Sequence, residues 1–174
     1  MSSSLPKYLA CLFVTAALVV GAAFPARAAD RDPFAEGSGR ASILVGNGYA
    51  FDESYLIVGV GVGYFFARGL ELGVDAESWT SGTPRIFKIS PELRYVLPTG
   101  GPVRPYVGAF YRRTMIEDRN DLNSLGGRAG VYFVSGQGSY FGLGGVYEQY
   151  LSCNSLRYRS CSETYPEIIF AIAF

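Results

Sequence analysis

Between Val58 and Phe66 the chain alternates without a break. Val58, Val60, Val62, Tyr64 and Phe66 share one parity, and Gly59, Gly61 and Gly63 share the other. A period of two belongs to a β-strand, because a helix returns to one face only every third or fourth residue. The next two segments repeat the pattern with charge in place of glycine. Leu70, Leu72, Val74 and Ala76 oppose Glu71, Gly73, Asp75 and Glu77, and Phe87, Ile89, Leu93, Tyr95 and Leu97 oppose Lys88, Ser90, Glu92 and Arg94. Each bulky face is continuous, and each opposite face is small or charged. A chain of this kind builds a sheet with one oily side, which must meet either a protein core or hydrocarbon.

Turn chemistry divides the chain into about eight such segments: Arg40 to Ala50, Ser54 to Ala67, Leu70 to Trp79, Arg85 to Leu97, Val103 to Met115, Gly127 to Val134, Tyr140 to Leu151 and Glu163 to Phe174. Two features separate a membrane barrel from a water-soluble one. Glycine dominates the non-apolar face of the second and seventh segments (Gly142 and Gly144 in the latter). A wetted surface gains nothing from glycine, whereas a narrow lumen needs small residues opposite its tyrosines and arginines. The bulky faces also end in rings, at Tyr64, Phe66, Tyr95, Tyr111, Tyr147 and Phe174, as aromatic girdles at membrane interfaces do. The expected fold is an all-β, eight-stranded antiparallel up-and-down transmembrane β-barrel over residues 40 to 174. The turns "RG", "PTGGP" and "SGQG" are short, and the connections "IEDRNDLNSLGG" and "SCNSLRYRSC" are longer and polar. That asymmetry predicts both chain ends on the periplasmic side, with the long connections outside.

The N-terminus reads as an export signal. Lys7 precedes the apolar run "YLACLFVTAALVVGAAF", and "ARA" at Ala26 to Ala28 supplies the small-x-small cleavage pattern. The expected division is a signal peptide over 1–28, a short periplasmic leader over 29–39, and the barrel. A retained anchor is the alternative, disfavoured because the apolar run is short and a cleavage site follows it. Cys11 lies inside the apolar run rather than at its end, which argues against lipidation. Cleavage would leave Cys153 and Cys161, an even pair favouring a disulfide across one loop over a two-thiol metal site. Lys plus Arg equals Asp plus Glu at 15 each, so no global field points to nucleic acid.

"GYFFARGLELGVDAE", "RPYVGAFYRR" and the terminal "IIFAIAF" resemble the small outer-membrane β-barrels of the OmpA/OmpX/OmpW-like superfamily. The resemblance covers essentially the whole chain after the export signal, and it implies a fold and a bacterial outer-membrane location rather than an activity. It implies lipid and lipopolysaccharide as surroundings and a monomer. In such barrels a last strand ending in phenylalanine is read by the barrel assembly machinery, which would assign that role here to Ile168, Phe170, Ile172 and Phe174. The same side chains simply face lipid in the plainer reading, and the two are compatible.

The inward parity collects the chemistry: Glu71, Asp75, Glu77, Lys88, Glu92, Arg94, Arg112, Arg128, Glu148 and Glu167. An antiparallel register summing to 165 sets Glu71 against Arg94 and Glu77 against Lys88, whereas a shift by two would set Glu71 against Glu92. Charges in a low-dielectric tube must be paired or hydrated. A salt-bridged plug is therefore expected, with a narrow path for small or hydrophobic solutes as the alternative. Arg113 falls outward near the rim, within reach of water or lipid phosphate. Pro91, on the lipid-facing parity, marks either a bulge or the exit of the fourth strand from hydrocarbon. The sequence contains no histidine, so the Ser–His machinery of lipid-modifying barrels cannot be assembled. Glu77 with Glu92 is the remaining pairing for acid–base work, and isolated strand carboxylates are common. "GVGVG" at Gly59 to Gly63 precedes no helix and is not a phosphate loop. The expected role is non-enzymatic and without a cofactor: structure, or surface interaction through the outer loops.

Overall fold

A computed structural model describes residues 32–50, 53–135, 138–151 and 161–174. Its strands are β1 (Gly39–Ala50), β2 (Glu53–Ala67), β3 (Leu70–Thr80), β4 (Ile86–Val96), β5 (Val103–Ile116), β6 (Leu122–Val134), β7 (Ser139–Tyr150) and β8 (Ser162–Ala173). Each pairs antiparallel with its neighbour in sequence, and β8 returns to β1 from Arg40↔Ala173 to Gly46↔Glu167, closing an eight-stranded barrel. Closure leaves no unpaired sheet edge, which a wall immersed in hydrocarbon requires.

Parity decides what each wall presents. On β2 the outward residues Leu56, Val58, Val60, Val62, Tyr64 and Phe66 are all exposed, Val60 at 61%. From Leu56 to Phe66 the strand rises about 33 Å at ~3.3 Å per residue. A tilt of about 40° makes that a band about 25 Å tall, the height of the apolar belt on outer-membrane barrels. The outward positions then turn polar at Asn47, Ser54, Ser78, Arg113, Asn123 and Gln149. Inside, charge and aromatic rings fill the tube. The interior is the polar side and the exterior the apolar one, the inverse of a water-soluble protein.

The start of β1, the end of β8 and the facing ends of β2 and β3, β4 and β5, and β6 and β7 share one end of the barrel, called here the turn end; the opposite end is the loop end. Gly69 sits at φ 74° in the two-residue turn between β2 and β3, and a Cβ there would strike the Val96 carbonyl, so both conformation and space demand glycine.

The structure corrects the start of the sixth strand and narrows the reading of Pro91. The sixth strand begins at Leu122, not Gly127, because Leu122 to Gly126 pair with Thr114 to Phe110 and Ser124 turns inward opposite Arg112. The fifth connection is accordingly only Glu117–Asp121, so the difference in length between the two ends is smaller than the polar stretch implied. Pro91 marks no bulge. The register with β3 runs through Val74↔Pro91 unbroken, and that with β5 is the same at Ile89↔Arg113 and Glu92↔Phe110 on either side. Only Ser90 and Pro91 drop out of that ladder, as expected where a residue has no N–H to donate. The segment before β1 is packed into the barrel. Phe34 is 3% exposed and packs against Phe65, Tyr132 and Tyr140 with ring centroids 5.8, 5.7 and 4.9 Å away. Gly69 donates to the Phe34 carbonyl at 2.8 Å, so this segment corks the turn end.

Candidate functional site

The ten charged residues assigned to the lumen all face inward, none more than 3% exposed. They form two clusters. At the turn end, Arg40 binds Glu71 through Nε and Ser42 through Nη1, while its Nη2 lies 3.1 Å from Glu92 and 3.4 Å from Asp75. Arg94 joins Glu92 and the Tyr132 hydroxyl. Arg128 reaches Asp75 at 2.9 Å, Glu92 at 3.2 Å and Glu167 at 3.3 Å, and Tyr106 donates to Glu167 at 3.2 Å.

At the loop end, Arg112 donates to Ser90, Glu77 and Glu148, each at 2.6 Å, and contacts the Tyr165 hydroxyl. Lys88 donates to Glu148 at 2.6 Å and to Glu163 at 3.1 Å, with its ammonium 3.8 Å from the Trp79 ring centroid. Glu148 is thus shared by the two cations of this half. Tyr55, Trp79 and Tyr165 close the barrel above it, as Phe34, Phe65 and Tyr132 close it below the other cluster.

The register of β3 on β4 sums to 165, with Glu71 opposite Arg94 and Glu77 opposite Lys88. Yet neither couple forms the principal bond. Glu71 binds Arg40 of β1, and Glu77 binds Arg112 of β5. The reason lies on the intervening strand. Arg40 stands beside Gly63 of β2, which presents no side chain, so the guanidinium crosses β2 to reach β3. A Cβ at Gly61 would overlap the Asp75 carboxylate, and one at Gly63 the Glu71 carboxylate. The glycine face is the space the ion pairs occupy.

Arg40 and Glu163 are charged lumen residues that the sequence reading missed, although Arg40 shares the parity of Ser42, against Ile43, and Glu163 that of Tyr165 and Glu167. The hydroxyls of Tyr132 and Tyr165 were missed too, since nothing local distinguishes a lumen tyrosine from a girdle tyrosine except its parity. Glu77 and Glu92, the pairing considered for acid–base work, fall in different clusters: Glu77 is held by Arg112, and Glu92 by Arg40, Arg94 and Arg128. No group of three metal-ligating side chains occurs among the described residues. Ile168, Phe170, Ile172 and Phe174 face outward, 40%, 54%, 58% and 37% exposed. The pairing of Cys153 with Cys161 falls outside the described residues, because Cys153 does.

The N-terminal β-barrel domain of Pseudomonas aeruginosa OprF superposes with a TM-score of 0.64 at 17% identity, covering 80% of this chain and 98% of that one. Neisserial surface protein A matches at 0.58 and 15%, covering 79% and 96%. The outer membrane protein OprG from Pseudomonas aeruginosa matches at 0.52 and 14%, covering 80% and 97%. The chain has the fold of the small outer-membrane β-barrels. No family model matches the sequence, and neither does any curated protein.

Proposed function

We propose that the chain is an integral protein of a bacterial outer membrane, exported through a signal peptide cleaved after Ala28. In this reading it is a monomeric, closed barrel with a structural or surface-interaction role exercised from its loop end. The observation that carries this reading is the filled lumen. Five buried cations, Arg40, Lys88, Arg94, Arg112 and Arg128, are each held by buried carboxylates, Arg94 by Glu92 of its own strand and the other four across strands, and aromatic layers cap the network at both ends. The apolar outer band and the likeness of fold to outer-membrane barrels support the location, and one of those barrels is itself named a surface protein. A tube filled in this way offers no continuous path, and the absence of histidine from the sequence argues against lipid chemistry of the Ser–His type.

Reconstitution into planar bilayers tests the plug. No conductance steps are expected from the folded protein. Steps whose size changes in Glu71→Gln or Arg94→Gln would replace the plug with a narrow channel. Incubation with lipopolysaccharide and phospholipid should leave every acyl chain in place, and altered chains would point to an enzyme instead.

A further inference from the structure

The outer wall carries a feature that the lumen does not explain. Arg113 points outward from β5, between Ile89 of β4 and Asn123 of β6, at the level where the outer surface changes from apolar to polar. Its side chain is 60% exposed. Asp121 Oδ2 accepts from Nε at 3.1 Å and from Nη2 at 2.7 Å, leaving Nη1 outside that pair. A guanidinium at this border has a hydrophobic stem against the belt and a charged head among lipid headgroups.

One strand further round, a groove of about 470 Å³ opens on the wall between Leu125, Tyr147 and Leu151, with Gly127 in its lining and Gln149 beside it. Leu151 donates to the Asn123 carbonyl at 2.8 Å, so groove and guanidinium belong to one continuous surface. Gly127 differs from the lumen glycines in a telling way. A Cβ added to it would meet only the Gly108 carbonyl, at 3.3 Å. Gly127 is on the outward parity, next to inward Arg128, so the space it leaves without a side chain opens on the wall and not into the lumen. An occupant must present an anion at headgroup level directly above an acyl chain.

We propose that Arg113, Asn123 and the Leu125–Tyr147 groove form a binding site for lipopolysaccharide, with a phosphate of its lipid moiety on the Arg113 guanidinium and an acyl chain in the groove. The commitment to lipopolysaccharide over phospholipid follows from the site's place at the loop end, which faces the outer leaflet if the barrel is oriented as proposed above. The inference thus rests on that reading. Asp121 competes with the phosphate for the same guanidinium and tempers the affinity.

The test uses the full chain folded in detergent, with folding checked by the gel-mobility difference between unheated and boiled samples. Retention of lipopolysaccharide is then read by native mass spectrometry. Arg113→Gln should weaken retention about tenfold, the scale of a lost charge-assisted hydrogen bond. Tyr147→Ala should weaken it by loss of a groove wall, and Asp121→Asn should strengthen it by freeing the guanidinium. Arg68→Gln, at the turn end, should leave it unchanged. Equal retention by wild type and Arg113→Gln overturns the site. So does phosphatidylglycerol that binds as tightly with the same dependence on Arg113, which would mark a general anionic-lipid contact. Failure of the underlying reading looks different: no variant, nor the wild type, would insert into vesicles or show the mobility shift.

Discussion

The two halves of the lumen are built from the same side chains but are not equally finished. At the loop end, every buried polar atom of the charged residues Lys88, Arg112, Glu77 and Glu148 has a hydrogen-bond partner, and what is left over is neutral: the hydroxyls of Thr114 and Ser124. At the turn end, among the described residues, Glu71 Oε2, Arg94 Nε and Arg128 Nη2 are buried without one. A satisfied network in low dielectric rigidifies its surroundings, and an unsatisfied one leaves desolvated groups that lower stability or recruit water. The difference has a geometric origin. Loop-end cations converge on one carboxylate, Glu148, from β4 and β5, whereas turn-end cations share four carboxylates spread over β3, β4 and β8. Concentration favours complete bonding, and dispersal leaves remainders.

Removing the shared carboxylate should hurt most. Glu148→Gln leaves Lys88 and Arg112 short of their common anion, and a loss of about 3–5 kcal/mol is expected in urea unfolding from lipid vesicles. Should it cost no more than the turn-end variant below, the contrast between the halves disappears. Gly61→Ala pushes a methyl into the Asp75 carboxylate, and overpacking of this kind costs about 1–3 kcal/mol in the same assay. A neutral result would mean that the carboxylates swing aside and that the glycine face is not needed. Glu71→Gln is expected to cost about 1 kcal/mol, because Arg40 keeps Asp75 and Glu92 and one Glu71 oxygen had no partner to lose. The smallest effect belongs outside the tube. Asp121→Asn breaks an exposed pair with Arg113 and should change unfolding by less than about 0.5 kcal/mol, which scales the lumen values against a solvated ion pair.

Much of this was legible in the chain, and what was not has a common cause. Parity alone turns Val60 outward and Glu77 inward, since a strand offers only two sides. The β3–β4 register could be chosen because a slip by two sets Glu71 against Glu92. Bond partners were out of reach of the same logic. Glu71 faces Arg94 on the ladder but bonds Arg40, because a tube brings together strands that a flat sheet holds apart, and β2 has glycine where side chains would intervene. Leu122 to Gly126 read as loop because asparagine, serine and glycine carry turn chemistry. In the barrel, Ser124 instead fills the place opposite Arg112. Phe34 stood alone among polar residues, and only the aromatic pocket formed by β2, β6 and β7 gives it a destination.

The bare inner face of β2 carries an evolutionary consequence. Substituting one of its glycines alters no charge and deletes no bond, yet it intrudes on contacts belonging to β1 and β3 together. Drift in such a barrel is therefore checked hardest at positions that contribute no functional group, and a lineage that rewires its ion pairs must first exchange what those empty positions hold.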